Sequence, residues 1–317
     1  MKNKFEDLNI RLLPFTINGN TRGMTSKTPY GVNMIQAKSF WERSEQGEGI
    51  TIAVIDSGCD INHESLKGNI IGVRNFTDED GKNQNIVTDR VGHGTHVIGT
   101  IAANGNNNTI IGVAPKSNIY VLKAIDRTGS GKLSWVVNAI YYAIEKNVDI
   151  ISMSLGMSES NDKLEKAVKE AINKNILVVC AAGNEGQGRA DNFNYSYPAA
   201  YIDVISVGAV DKRGVPANFS NANLVIDLVA PGVEIISTYP NNQFAILSGT
   251  SMATPHVTGS LALIKNWSKH EFQRNLTQEE IYAQLIKHTV TLEYPRAVQG
   301  NGLIYLKEAK AKKKLKY

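Results

Sequence analysis

Four segments, far apart in the chain, carry residue types that together suit acyl transfer. They are a carboxylate, an imidazole, an amide and a hydroxyl, in the order Asp56, His93, Asn184, Ser251. The hydroxyl stands in Gly249-Thr250-Ser251-Met252-Ala253-Thr254-Pro255-His256, where a Gly-Thr pair leads into an apolar run through Leu261 and Leu263 to Ile264. A serine opening such a helix points its Oγ outward, among unpaired main-chain N–H groups and at the positive end of the helix dipole, where a developing negative charge is favoured. Taken alone, it reads more simply as an N-cap. The run Ile50-Thr51-Ile52-Ala53-Val54-Ile55-Asp56-Ser57-Gly58 reads as a buried parallel strand. Asp56 ends it, at the edge where open α/β sheets build their sites, although a lone aspartate there also suits a cap or turn. In Val91-Gly92-His93-Gly94-Thr95-His96-Val97 two glycines flank His93, so backbone or substrate can approach its ring. The spacing of His93 and His96 raises a metal pair. The usual carboxylate base is missing, however, and Val97, Ile98 and Ile101 make the helix apolar, so His96 reads as a packed structural histidine. In Val178-Val179-Cys180-Ala181-Ala182-Gly183-Asn184-Glu185-Gly186 a buried strand ends in small residues and presents Asn184, an oxyanion donor or an ordinary turn asparagine.

The elements that must bring these groups together alternate along the chain. Strand-like runs cover Thr51–Asp56, Asn69–Phe76, Asn118–Ala124, Val148–Ser154, Ile176–Ala182, Val204–Val210 and Val225–Ala230. Helical patterns cover His93–Ala103, Leu133–Lys146, Asp162–Lys174, Thr250–Trp267 and Thr277–Thr289. Such alternation predicts an α/β fold, a mostly parallel, doubly wound sheet with helices on both faces. No fixed-period repeat or low-complexity linker divides it.

In residue types and order the four segments resemble the subtilisin-like serine proteases, the subtilase family, over the stretch from about Pro29 to Leu306. The resemblance implies a subtilisin-like fold. It also implies a Ser-His-Asp triad in which His93 activates Ser251 and Asp56 orients His93, with Asn184 and the Ser251 N–H holding the oxyanion. It further implies that Gly129, Ser130 and Gly131 on one side, and Ser154, Leu155 and Gly156 on the other, bind substrate as an added strand. Leu133 and Val136 would line an apolar pocket four residues before the scissile bond, or else simply pack in the core of their helix. Met157 replaces a family glycine at the rim of the primary pocket. Within the family, Ile10-Arg11-Leu12-Leu13-Pro14-Phe15 resembles the short N-terminal peptide of the intracellular subtilisins, with Leu12, Leu13, Pro14 and Phe15 matching the inhibitory motif. In that branch the peptide lies across the site and its proline spoils cleavage. The stretch Asn75–Gly81, Cys59 and Cys180 also look like that branch. The expected division is an inhibitory extension over residues 1–25, a catalytic domain over 26–306 and a basic tail over 307–317.

The same resemblance makes calcium the expected cofactor. The loop from Asn104 to Ile110 matches the family's calcium loop in length, with Asn104, Asn106, Asn108 and Ile110 as oxygen ligands. Ser65 stands where the family has a chelating aspartate, which weakens the site. A second cation site draws on the carbonyls of Ala199, Tyr201 and Val204 with Asp227. The resemblance also raises a homodimer.

Composition sets the compartment. Hydrophobic residues make up 42% and charged residues 20% of 317, the proportions of a soluble globular protein. No run of 18 apolar residues is present, so no membrane partner is expected. Met1–Asp7 lacks the apolar core of a secretory signal. Cys59 and Cys180 suit small buried hydrophobes in a reducing cytoplasm better than a disulfide framework, with a reactive thiol as the alternative. The net charge is +4, of which residues 307–317 contribute +5 (six Lys, one Glu), so the basic character is local. That tail reads as a solvated terminus without a nucleic-acid partner. The expectation is an intracellular serine endopeptidase made as a zymogen. A dedicated leader-peptide processing protease is the alternative within the class, and a non-catalytic peptide-binding module the alternative outside it.

Overall fold

A computed structural model describes residues 8–21, 28–106 and 109–307. In chain order its main elements are β1 (Asn9–Leu12), β2 (Thr16–Thr21), α1 (Tyr30–Met34), β3 (Thr51–Asp56), β4 (Ile70–Asn75), α2 (His93–Ala102), β5 (Asn118–Lys123), β6 (Ser130–Lys132), α3 (Leu133–Glu145), β7 (Ile150–Met153), β8 (Leu155–Gly156), α4 (Asp162–Asn173) and β9 (Leu177–Ala181). They continue with β10 (Ile205–Val210), β11 (Leu228–Pro231), β12 (Ile235–Tyr239), β13 (Gln243–Ser248), α5 (Thr250–Phe272), α6 (Gln278–Lys287), β14 (Thr289–Val290), α7 (Arg296–Gln299) and β15 (Leu303–Ile304).

Among the described residues the central sheet has nine strands in the order β14-β15-β11-β10-β9-β7-β3-β5-β4. Every pairing except β14 with β15 is parallel, as the alternating pattern predicts. β3 is interior, between β5 and β7. Its side chains alternate between two packed layers. Ile52 and Val54 join the cluster containing Val97, Ile98 and Ile101 of α2 and Leu261 and Leu263 of α5. Ala53 and Ile55 join Val136 and Ile140 of α3 and Leu164 and Val168 of α4. Covered on both faces, the sheet presents Asp56 only at its carboxyl end.

The structure corrects several boundaries. The helix expected over Thr250–Trp267 runs on to Phe272, buried along most of its length. The last predicted helix stops at Lys287, and Thr289 instead enters β14. The run expected at Val225–Ala230 is a strand only from Leu228. Two antiparallel features were not expected: the β12–β13 hairpin, and the strands β1 and β2 in the N-terminal extension. The polar stretch after Phe15 looks unstructured by composition, yet Thr16–Thr21 pairs with β13. The expected domain boundary at 25/26 lies outside the described residues, as does the tail from 308 onward. Among the described residues no helix is long and apolar enough to cross a membrane.

Candidate active site

Asp56 and His93 meet because β3 ends where α2 begins. The buried Asp56 Oδ1 accepts the Ser57 N–H at 2.7 Å and lies 2.8 Å from His93 Nδ1. Against a carboxylate, Nδ1 must carry the ring proton, which leaves Nε2 as the basic nitrogen. His93 opens α2, preceded by Gly92 in the left-handed region at φ 90°. A side chain at Gly94 would come within 2.2 Å of the Gly58 carbonyl, so only glycine lets helix and strand approach this closely.

A carboxylate that sequence reasoning missed ties this junction together. Buried Asp89 accepts the Ser57 hydroxyl at 2.9 Å, the Gly92 N–H at 2.8 Å, the Thr95 N–H at 2.9 Å and the Thr95 hydroxyl at 2.7 Å. Its only signal in sequence is an aspartate four residues ahead of a glycine-flanked histidine. Lys123 was missed as well, because a lysine ending an apolar strand looks like an exposed terminus. It is fully buried and donates to the carbonyls of Ser57 (2.7 Å) and Ile125 (3.1 Å). Glu79 lies 3.2 Å away and balances its charge, as a buried ammonium requires. Glu79 belongs to the acidic stretch after Phe76, whose neighbour Asp78 meets Lys132 of β6 at 2.6 Å.

Ser251, the second residue of α5, is buried and not open to solvent. Its Oγ is fully buried and donates to the Ser154 carbonyl at 3.3 Å, while Ser154 Oγ donates back to the Ser251 carbonyl at 3.1 Å. The outward-pointing hydroxyl expected from sequence is thus turned aside. His93 Nε2 is buried with no hydrogen-bond partner among the described residues, and the Phe15 ring packs on the imidazole with centroids 4.9 Å apart. Asn184 completes the group. Its Oδ1 accepts both the N–H and the hydroxyl of Thr250 at 2.8 Å, which turns Nδ2 outward to donate to the Pro14 carbonyl at 2.7 Å.

The two edge segments converge around β1. Ile10 pairs with Gly131, Arg11 with Ser130 and Gly156, and Leu12 with Leu155. The Leu12 N–H donates to the Gly129 carbonyl at 3.0 Å. Ile10 and Leu12 are buried in one packed cluster with Leu133, Val136 and Leu155. Leu13 is buried against Gly156, beside a groove that Met157 and Glu159 also line. Met157 is held by two main-chain bonds with Tyr197, at 2.9 and 2.8 Å.

Residues 47–303 match the profile of the subtilase family. The chain belongs to the subtilase family. It is 48% identical over 298 residues to the major intracellular serine protease of Bacillus subtilis (strain 168), covering 94% of this chain and 93% of that one. It is 48% identical over 297 residues to an intracellular serine protease of Paenibacillus polymyxa, covering 94% and 90%. To the subtilisin of Bacillus pumilus it is 40% identical over 281 residues, covering 89% and 98%. As a subtilase, the chain is a serine endopeptidase.

The remaining sequence-predicted groups fall elsewhere in this subtilase. His96 is buried, with Nε2 3.0 Å from the Ile235 carbonyl, and burial pulls its pKa down to about 3. It is a neutral packed histidine. Cys59 and Cys180 are free and buried, and burial raises both thiols well above their usual range, which disfavours the reactive thiolate. Asp227 sits in the shallow pocket beside Val204, but both its oxygens are engaged. Oδ1 accepts the Tyr282 hydroxyl at 2.6 Å and Oδ2 the Ser206 N–H at 2.8 Å. The Tyr201 carbonyl accepts the Val204 N–H, and Ala199 is buried. In the other loop, the Ile110 carbonyl accepts the Gly105 N–H at 3.0 Å and Asn104 Oδ1 accepts the Asn106 N–H at 2.9 Å. Asn108 lies outside the described residues. Among the described residues no group of three or more His, Cys, Asp or Glu side chains forms a metal centre.

Proposed function

We propose that this subtilase is an intracellular endopeptidase working through Ser251, His93, Asp56 and Asn184, and that its residues up to Phe15 hold it inhibited until they are released. The observation that carries the reading is the Pro14 carbonyl at 2.7 Å from Asn184 Nδ2. The chain offers its own peptide bond to the group that would hold an oxyanion. That bond follows a proline, which has no N–H, so the ladder holding Ile10–Leu12 cannot continue through it. The carbonyl presented is therefore one residue beyond Leu13, the last side chain buried in the cleft. Phe15 meanwhile covers His93, and Ser251 Oγ is drawn to Ser154.

With the peptide gone, Ser251 Oγ is free to turn to His93 Nε2. His93 takes the hydroxyl proton as Oγ attacks the substrate carbonyl carbon, and Asp56 steadies the imidazolium. The oxyanion is held by Asn184 Nδ2 and the Ser251 N–H. Collapse expels the amine with the proton from His93, and water, activated by the same imidazole, releases the acid and restores Ser251. Asn184 binds the carbonyl oxygen more strongly once charge develops on it. Asn184→Ala is expected to lower kcat about 10²–10³-fold with KM little changed, as loss of the corresponding asparagine does in subtilisin. Steady-state kinetics on a chromogenic peptide check this, and a change confined to KM would remove Asn184 from the oxyanion site.

Calcium belongs to the same proposal, as a weak ligand of the Asn104–Ile110 loop. Ser65 Oγ is buried beside this loop without a hydrogen-bond partner among the described residues, as a cation ligand would be, and the Ser65 carbonyl accepts the Asn104 N–H. The donors are neutral oxygens, which suits calcium poorly without a carboxylate. Ser65→Asp is expected to increase the rise in Tm between chelator and millimolar calcium, since a ligand of the folded state stabilises it in proportion to its affinity. Identical melting curves in chelator and calcium for both proteins would dismiss the loop as a calcium site. The cytoplasmic location rests on the relatives being named intracellular proteases. A homodimer is carried from the family resemblance, and sedimentation of the full chain measures it.

A further inference from the structure

Two buried charges of opposite sign meet on the residue that follows Asp56. Ser57 is fully buried, and each of its polar atoms is engaged. Its N–H donates to Asp56 Oδ1 at 2.7 Å. Its hydroxyl donates to Asp89 Oδ1 at 2.9 Å and accepts the Gly94 N–H at 2.9 Å, so it also holds the residue after His93. Its carbonyl accepts Lys123 Nζ at 2.7 Å. Lys123 is itself the register partner of Asp56 across β3 and β5. Asp89 reaches further round the histidine. Its Oδ1 accepts the N–H groups of Val91 at 3.1 Å and Gly92 at 2.8 Å, and its Oδ2 accepts the N–H and hydroxyl of Thr95 at 2.9 and 2.7 Å. One carboxylate thus fixes the chain on both sides of His93, and one ammonium fixes the turn that carries Asp56. Each of these partners of Asp89 is a donor, which an ionised carboxylate satisfies and an amide cannot.

We infer that Asp89 and Lys123 are positioning residues that, acting through Ser57, hold Asp56 and His93 in register and set the proton affinity of the His93 ring. The inference rests on the endopeptidase reading above. His93 has to be neutral before attack and cationic as the tetrahedral intermediate forms. The two demands oppose each other. The Asp89 charge favours the imidazolium and so assists attack. Joined only with Asp56, it would also extend protonation of the resting ring to higher pH, and a protonated ring accepts nothing from Ser251. The Lys123 charge offsets it and leaves the ring basic. Both act strongly because little solvent screens a buried charge. The other charges around the junction have partners of their own. Glu79 lies 3.2 Å from Lys123, with Arg90 and Arg127 at 3.7 and 3.6 Å. Arg90 also donates to Asp80 at 3.0 Å, and Asp60 accepts the N–H groups of Asn241 and Asn242. His96, Cys59 and Tyr239 stay neutral, because burial pulls the first down to about 3 and raises the other two.

The test uses each variant made as the full chain and matured by a trace of active protease, with active sites counted by a fluorophosphonate. Asp89→Asn keeps the shape and removes the charge. Its amide nitrogen faces donors, so kcat is expected to fall about tenfold with KM unchanged. The acid limb of the kcat/KM profile, where His93 gains its proton, is expected to move down by about half a pH unit. Lys123→Met removes the opposite charge and leaves Glu79 with Arg90 and Arg127. There the acid limb is expected to move up by about as much. Residues that served the fold alone would lower activity without moving the limb. A limb that stays in place, or moves the same way in both variants, overturns the inference. Should either variant fail to fold, Ser57→Ala decides, since it removes one hydroxyl and neither charge. A kcat about tenfold lower at unchanged KM supports the inference, and a wild-type kcat overturns it. NMR titration of the His93 ring in matured Ser251→Ala, with and without each second change, reads the same shifts without turnover. If the wild-type enzyme hydrolyses peptide and the shifts are absent, only the roles of Asp89 and Lys123 fall. If it hydrolyses none, the endopeptidase reading falls.

Discussion

Ser251→Ala is expected to lower peptide hydrolysis by about six orders of magnitude, the loss that follows removal of the corresponding serine in subtilisin. The size follows from the site acting as a unit. Among the described residues no other side chain bonds His93 Nε2, and Asp56 is committed to Nδ1 by a 2.8 Å bond. What remains is the weak catalysis that oxyanion donors and substrate binding give to water. Folding should be preserved, because the Ser251 hydroxyl makes one long bond of 3.3 Å, to the Ser154 carbonyl. The check is hydrolysis of a chromogenic peptide alongside labelling by a fluorophosphonate. The wild-type enzyme should be labelled at Ser251 and the variant not at all, with equal melting temperatures. Labelling that persisted in the variant would place the nucleophile elsewhere, and a chain that neither reacted nor cleaved as wild type would be a peptide-binding module.

The second large effect is expected on activation. The full chain should start nearly inactive and accelerate as it is cut, whereas a chain beginning near Ser26 should be active without a lag. A tethered inhibitor acts at millimolar effective concentration, so modest contacts suffice to close the site. Here the contacts are substantial: the β1 ladder, buried Ile10 and Leu13, the Asn184 bond to Pro14 and the Phe15 ring on His93. By sequence the cut is expected between Phe15 and Thr28. The pairing of Thr16–Thr21 with β13 shields the first part of that interval and moves the expected cut beyond Thr21. Cleavage should be at least partly intermolecular, because the bond presented in place is the unproductive Pro14–Phe15. Full-length Ser251→Ala treated with a trace of active enzyme, followed by N-terminal sequencing, locates the cut. If the full chain were as active as the shortened one from the first seconds, Leu12–Phe15 would be a packing segment and not an inhibitor.

Local chemistry made much of this protein legible in its sequence. Periodicity exposed β3, β5, β7, β9 and β10 because strands buried on both faces read as unbroken apolar runs. Asp56, His93, Asn184 and Ser251 were visible because each stands at a strand end or helix start marked by glycine. The hairpin β12–β13 was harder to see. Its Ser237, Thr238 and Ser248 are buried polar residues satisfied by partners far along the chain, such as the carbonyls of His96 and Thr95, so they break the apolar pattern. Asp89 and Lys123 were missed for the same reason. A buried charge is recognisable only when the groups that neutralise it are known, and those come from other segments.

The sequence by itself determined the fold class, the family and the identity and order of Asp56, His93, Asn184 and Ser251, since these depend on residue type and short-range pattern. Only the tertiary structure decided what those groups touch. Thr16–Thr21, polar and rich in Asn and Gly, became a strand because β13 offered unpaired main chain, and that edge is invisible in the composition of either segment. Ser251 Oγ bonds the Ser154 carbonyl while Phe15 lies on His93, and Asn184 holds Pro14 because Thr250 fixes its amide. Each depends on residues about 66 to 232 positions apart being brought within a few ångströms, a relation that packing creates and local sequence does not encode.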